Sequence, residues 1–195
     1  MKRNIIVGIL FLTLVLYSNG LFDNFDKARK MLFDVIFKKY NVSVAKNVQA
    51  VYDALIKAGL PLQTIKLCIA QVLHETAHFN PEISKVAALN NNYSGITWVG
   101  SPAQKATGAT KGSARQKSEG SNYAKYPNVI SWAKDYIRIL NLKNKPIQAT
   151  GINDFVNRLA KNNYFDTDPV KYPNAVPNYL KNVTFYHNLL TKAGI

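Results

Sequence analysis

Cysteine is nearly absent from this chain. The single one, Cys68 among 195 residues, excludes an intrachain disulfide framework and any cysteine-built zinc knuckle. Acidic residues are also scarce: 11 Asp and Glu stand against 25 Lys and Arg, a formal net charge of +14. A field of that sign favours polyanionic partners such as nucleic acid, anionic lipid or an acidic cell-wall polymer. There is no internal repeat and no low-complexity tract. What is abundant is apolar and aromatic. Hydrophobic residues make up 47% of the chain and charged residues 18%, a balance that builds a packed core and excludes wholesale disorder. The length suits one domain of ordinary size and is short for two.

The N-terminus reads as a targeting segment. Lys2 and Arg3 precede an apolar run from Ile5 to Tyr17, of signal-peptide length and short of the roughly 20 residues of a membrane span. Ser18 and Gly20 are small residues placed for a cut after Gly20, and Leu21 and Phe22 would extend the run if it stays as an anchor. Either fate puts the rest of the chain outside the cytoplasm, or in a particle built around a membrane. The expected organisation is a signal peptide or anchor over residues 1–22 and one domain over residues 23–195. Without Lys2 and Arg3 the remainder is still strongly basic, so the charge belongs to the domain. A secretory N-terminus also argues against nucleic acid as the partner.

Helical periodicity predicts helices over Phe22 to Tyr40, Val44 to Ala58 with Ser43 as cap, and Leu62 to about Phe79, with Gly59 and Pro61 as stop and start. From Asn80 to Pro127 the chain turns polar and basic, and strands are expected at Tyr93 to Val99 and Tyr123 to Tyr126. Helical patterns return at Val129 to Leu142, Ile152 to Lys161 and about Pro177 to Ala193. The expected fold is mainly α (α+β), a helical domain with a small β or loop lobe, about residues 90–127, inserted after the third helix. A cleft between the two parts suits a long polymer ligand.

The third helix carries the candidate chemistry. Leu62, Ile65, Ile69, Val72, Leu73 and Ala77 fall on one stripe, and Glu75 falls just off its edge. Gln71, four residues earlier, and His78, three later, share its side of the helix. A carboxyl at the border of an apolar face loses hydration, so its pKa rises toward the range a general acid needs near neutral pH. A second motif overlaps: His74-Glu75-Thr76-Ala77-His78 has the H-E-x-x-H spacing that can set two imidazoles on one zinc with Glu as base. A third ligand in a recognised position is missing, and His187 lies far off near the C-terminus.

Ile69-Ala70-Gln71-Val72-Leu73-His74-Glu75-Thr76 resembles the catalytic helix of the glucosaminidase family of peptidoglycan hydrolases (glycoside hydrolase family 73), found in flagellar muramidases and many autolysins. Asn91-Asn92-Tyr93-Ser94-Gly95-Ile96 resembles the stretch that opens that family's β lobe. Tyr123-Ala124-Lys125-Tyr126, with the helix after it, and Tyr164-Phe165-Asp166-Thr167-Asp168-Pro169 with Tyr172 resemble two later motifs in the same order. The resemblance covers about Leu62 to Leu190. It implies a lysozyme-like fold, the glycan strand of peptidoglycan as substrate, no cofactor and no metal, and Glu75 as general acid. The substrate-binding candidates are Gln71, Asn92, Gly95, Trp98, Tyr123, Tyr126, Asp168 and Tyr172, with Tyr164 as a second catalytic group; at least one of Trp98, Tyr123 and Tyr126 is expected to fill the lobe's core instead, and Asp168 to cap or brace the turn at Pro169. A bacterial autolysin and a phage lysin fit equally.

The chain departs from the family's pattern in several places. Ser94 replaces an aromatic, and relatives often carry a second Glu where Thr107 to Thr110 fall here. The lobe's acid is Glu119. Either Glu119 serves as base, or the substrate's own acetamido oxygen attacks the anomeric carbon, with Tyr164 or Tyr172 orienting it. Three competing readings remain: a lytic transglycosylase, a zinc peptidase, and a non-catalytic wall-binding module.

Overall fold

The computed structural model describes residues 42–77, 79, 84–115 and 121–192. The chain divides into two compact units, Met1–Ala45 and Lys46–Ile195, and nearly all described residues belong to the second. The expected targeting segment, the helix at Phe22 to Tyr40 and the boundary at residue 22 lie outside them. Among the described residues, no helix is long and apolar enough to cross a membrane.

The first helix among the described residues, α1 (Val42–Lys57), buries Val48, Val51, Ala54 and Leu55. It stops where the sequence says it should. Gly59 takes φ +90°, its N–H reaches the Ile56 carbonyl at 3.0 Å, and Leu60 N–H reaches Leu55 O at 3.0 Å. Those bonds satisfy the carbonyls a helix end leaves open, and the left-handed turn suits glycine.

Pro61 then leads into α2 (Leu62–Glu75), which is buried far beyond one stripe. Every residue from Leu67 to Leu73 is buried, Gln71 included, while Leu62 is 67% exposed. A helix apolar on most sides belongs at the centre of a domain, and α2 packs along the last helix, α7 (Ala175–Lys192). It ends earlier than the periodicity predicts. The Thr76 hydroxyl donates to Val72 O at 2.7 Å and accepts from Phe79 N–H at 3.0 Å, while Ala77 and Phe79 take positive φ. The threonine hydroxyl thus takes the Phe79 N–H, which in a longer helix would bond the Glu75 carbonyl.

The lobe that follows contains α3 (Lys85–Asn90), the short α4 (Pro102–Lys105), and the antiparallel strands β1 (Thr110–Ala114) and β2 (Asn122–Lys125). The expected strand at Tyr93 to Val99 is reduced to one bridge, Thr97 to Tyr123. Asn92 folds that segment into a turn. Its amide donates to Ile96 O at 2.8 Å and Ala124 O at 2.9 Å, and its carbonyl accepts from Ile96 N–H at 2.9 Å. The strand that pairs with β2 lies instead in the polar, basic stretch between the two expected strands. There Gly112 is obligatory for space: a Cβ would sit 2.6 Å from Asn90 Oδ1 and 2.8 Å from Tyr123 O.

Beyond the lobe run α5 (Val129–Leu140), a single 3-10 turn (Pro146–Gln148), α6 (Ile152–Lys161) and α7. Asn128 caps α5 by accepting from Ser131 N–H at 3.0 Å. Trp132 and Tyr136 stack 5.2 Å apart in the core, joined by Phe155, Leu159, Val183 and Leu190. The architecture is mainly helical with a small two-stranded sheet among the described residues.

Candidate functional site

Glu75 is the last residue of α2, half-buried where that helix meets the lobe and α7. Tyr179 of α7 donates its hydroxyl to Glu75 Oε1 at 2.6 Å. The tyrosine is itself fixed, stacked on Phe165 at 4.0 Å between ring centres and meeting His74 edge-on at 4.9 Å. One turn before Glu75, the fully buried Gln71 donates from Nε2 to the Tyr179 hydroxyl at 3.0 Å, and its Oε1 accepts from Tyr136 of α5. Burial pushes the Glu75 pKa up to about 7, against the Tyr179 hydrogen bond and the positive charge of Arg115, which both pull it down. Near neutral pH the carboxyl is therefore divided between its two forms. Tyr179 holds Oε1.

Arg115 follows β1. Its Nη1 donates to Gly95 O at 3.2 Å and Thr97 Oγ1 at 2.9 Å, and its guanidinium lies 4.6 Å from the centre of the Tyr123 ring. Tyr164 donates to Ser94 O at 2.6 Å, and Ser94 Oγ accepts from Trp132 Nε1 at 2.9 Å. Burial and the Glu75 charge hold the Tyr164 phenol well above its usual pKa, so it stays protonated. The loop from Ser94 to Thr97 is thus pinned beside Glu75 by three separate parts of the chain. Ser94, the departure from an aromatic, is the acceptor that fits the Trp132 indole.

The structure gathers Glu75, Gln71, Tyr164, Gly95 and Tyr123 in or around this site, and gives other expected residues different work. Tyr126 is 1% exposed, with its hydroxyl on the buried Asp135 at 2.6 Å; its ring is core and no stacking surface for a sugar. Asn92, also 1% exposed, spends its amide on the turn described above. Asp168 braces its own turn, as its place before Pro169 suggests, by accepting from Val170 N–H at 2.9 Å and Lys171 N–H at 3.3 Å. Gln71 has no exposed surface and reaches a ligand only through the tyrosines it bonds. Trp98 is half-buried near Gly100. Tyr172 is 52% exposed and lines a depression of about 450 Å³ with Asp166, Pro173, Asn174, Ala175 and Asn178, which Glu75 does not border.

Glu119 and His78 lie outside the described residues. The helical register that would stack His74 and His78 over one metal stops at Glu75, with Ala77 already at φ +46°. Among the described residues, no three His, Cys, Asp or Glu side chains cluster as metal ligands would. Cys68 is a core residue whose thiol burial pushes up to about 12, far from nucleophilic use.

Sequence reasoning missed Tyr179, Tyr136, Phe165 and Arg115. Tyr179 begins the stripe Tyr179, Val183, Tyr186 and Leu190 on α7, which reads as core at helical spacing. Its hydroxyl carries no separate signal.

The chain was compared with protein-family models, with curated proteins and with solved structures, and none of the three gives a match.

The structural role of Asn92 can be checked directly. Asn92→Ala removes three buried hydrogen bonds, at about 1–3 kcal/mol or more in total, and is expected to lower the melting temperature by several degrees. An unchanged melt, with altered ligand affinity, would return Asn92 to the binding surface.

Proposed function

We propose that the protein is a peptidoglycan glycosidase of lysozyme-like architecture, cleaving the glycan strand with Glu75 as general acid. The observation that carries this reading is the state of Glu75. Burial lifts its pKa to about 7, and one oxygen is held by Tyr179 while the other is left to move a proton. The order of helix, small sheet and helix, and the four sequence motifs with which it coincides, support the same reading.

In this mechanism the Oε2 proton passes to the glycosidic oxygen as the bond from that oxygen to the anomeric carbon breaks. Negative charge then appears on Glu75, where the Tyr179 hydroxyl and the Arg115 charge stabilise it more than they did the neutral acid. No second carboxylate among the described residues bonds to Glu75 or contributes to its pKa. The reading therefore gives the nucleophile's part to the substrate: its acetamido carbonyl oxygen bonds to the anomeric carbon. A water then opens that ring, passing its proton to the Glu75 carboxylate. The Tyr164 hydroxyl already donates to Ser94, so toward the substrate it can only accept, as from the acetamido N–H. Exposed Tyr172 and the depression around it would extend the polymer's path, and the basic surface suits anionic wall polymers. Under this reading the chain acts outside the cytoplasm, secreted or held to the membrane by its N-terminal apolar segment, with no nucleic-acid partner.

Mass spectrometry of purified peptidoglycan digested by the full chain, with and without EDTA, tests the reading. New reducing N-acetylglucosamine ends, unaffected by EDTA, are the expected result. Anhydro-muramic ends would assign a lytic transglycosylase on the same polymer. Cut peptide stems with EDTA-sensitive activity would assign the zinc peptidase.

A further inference from the structure

We propose that Tyr136, Gln71 and Tyr179 act as one hydrogen-bonded unit that orients Glu75, so that Tyr136 is a positioning residue acting on the acid through two intermediates. The three side chains come from three helices, α5, α2 and α7, and each is fully or nearly buried. Every link donates in the same direction: Tyr136 to Gln71 Oε1, Gln71 Nε2 to Tyr179, Tyr179 to Glu75 Oε1.

The sense of each bond depends on the one before it. A primary amide has two faces, one that accepts and one that donates. With the Tyr136 hydroxyl donating to Oε1, the amide must turn its NH2 toward Tyr179. A phenol that receives an N–H on its oxygen keeps its own proton free, and the nearest acceptor is Glu75. Without Tyr136, the amide is free to turn over and offer its carbonyl to Tyr179. The Tyr179 proton then has a neutral amide as an alternative to Glu75, and the carboxylate loses part of its stabilisation. Tyr136 is held in place for its part, stacked on Trp132 and beside the Cys68 thiol.

The other groups bearing on Glu75 are known by element. His74 lies on its own helix against Tyr179, Arg115 follows β1, and Tyr164 lies after α6. His74 and Arg115 are not links in the chain; Tyr164 also meets the Gln71 side chain, but its own proton goes to Ser94 O. The consequence for catalysis rests on Glu75 being the general acid, whereas the linkage itself does not.

Glutamate occurs only at positions 75, 82 and 119, so δ-carboxyl 13C labelling of the full chain gives a readable NMR titration, with the Glu75 signal assigned by its loss in Glu75→Gln. Tyr179→Phe is expected to raise the proton affinity of Glu75 about tenfold. Tyr136→Phe should raise it in the same direction by about threefold. In the double variant, Tyr136→Phe should add nothing to Tyr179→Phe, because the route through Tyr179 is already cut. A Tyr136→Phe shift that persists in the Tyr179→Phe background overturns the proposal, as does no shift from Tyr136→Phe alone. If Tyr136→Phe fails to fold, Gln71→Met breaks the same route, and an unmoved Glu75 titration there overturns it equally. The alkaline limb of the activity profile should follow the NMR midpoint. Titrations that behave as expected in a chain that cuts no glycan would support the linkage and reject the glycosidase reading.

Discussion

Glu75→Gln is expected to abolish glycan cleavage and, in the same molecule, to stabilise the fold at neutral and alkaline pH. Loss of one positioned acid costs about 10²–10⁴-fold in rate or more. The stabilisation follows from linkage. In the unfolded chain Glu75 titrates at its ordinary value, near 4.5, and in the fold at about 7. Between those values the folded state holds a proton that the unfolded state has released, so stability falls as pH rises through that window. Above it the whole cost is present, up to about 3 kcal/mol. A neutral glutamine escapes that cost and still accepts the Tyr179 hydrogen bond on its carbonyl oxygen. The Gln variant and the parent should therefore melt alike near pH 4. They should diverge up to pH 7, with the variant about 5–10 °C more stable beyond it. A variant that melts below the parent at pH 8, or keeps activity within a few-fold, contradicts the role assigned to Glu75.

Asp135→Ala carries the largest expected loss of stability. Asp135 has no exposed surface, and three partners converge on it: the Tyr126 hydroxyl at 2.6 Å, Gln104 Nε2 at 3.1 Å and Arg138 Nε at 2.6 Å. Burial and the Asp135 carboxylate together push the Tyr126 phenol far above its usual pKa, so it remains a donor. Gln104 in turn accepts from Val99 N–H at 2.9 Å and Gly100 N–H at 3.1 Å and donates to Thr97 O at 3.0 Å. One carboxylate thus ties α5 to the end of β2 and to the loop that holds Arg115. Removing it leaves buried donors without an acceptor, at about 3–5 kcal/mol. Asp135→Asn, which keeps an oxygen in place, should fall between. Urea unfolding of both variants measures this, and an Asp135→Ala midpoint equal to the parent's would show that the network adds nothing to stability.

How far the sequence discloses this molecule depends on whether a feature is local. Gly59 stops α1 through its own backbone, and the helix at Ile152–Lys161 has the bounds its periodicity predicts. The end of α2 was hidden because Thr76 looks like any helical residue until its hydroxyl is seen taking the Phe79 N–H. Strand β1, Thr-Lys-Gly-Ser-Ala, has no apolar alternation to announce it, since four of its five residues are exposed and its pairing is set by close approach at Gly112.

At the site, Glu75 was legible from its place beside an apolar stripe, and its raised pKa follows from that placement. The groups that tune it were not legible. Tyr179 meets Gln71 across 108 residues and Tyr136 meets it across 65, and no spacing rule reaches so far. Asn92 shows the opposite case: resemblance marks it for substrate contact, yet its polar groups are committed within the fold, as are those of Tyr126 and Asp168, for which core packing and turn bracing were the other readings.

The pH dependence of kcat/KM on purified peptidoglycan tests the central claim most directly, because it reports the free enzyme's essential acid. With Glu75 as that acid, the rate falls on the alkaline side with a midpoint near pH 7, where burial sets its pKa. A profile that stays level through pH 7 and declines only near the ionisation of tyrosine or lysine would contradict it, and so would one that collapses near the ordinary carboxylate range.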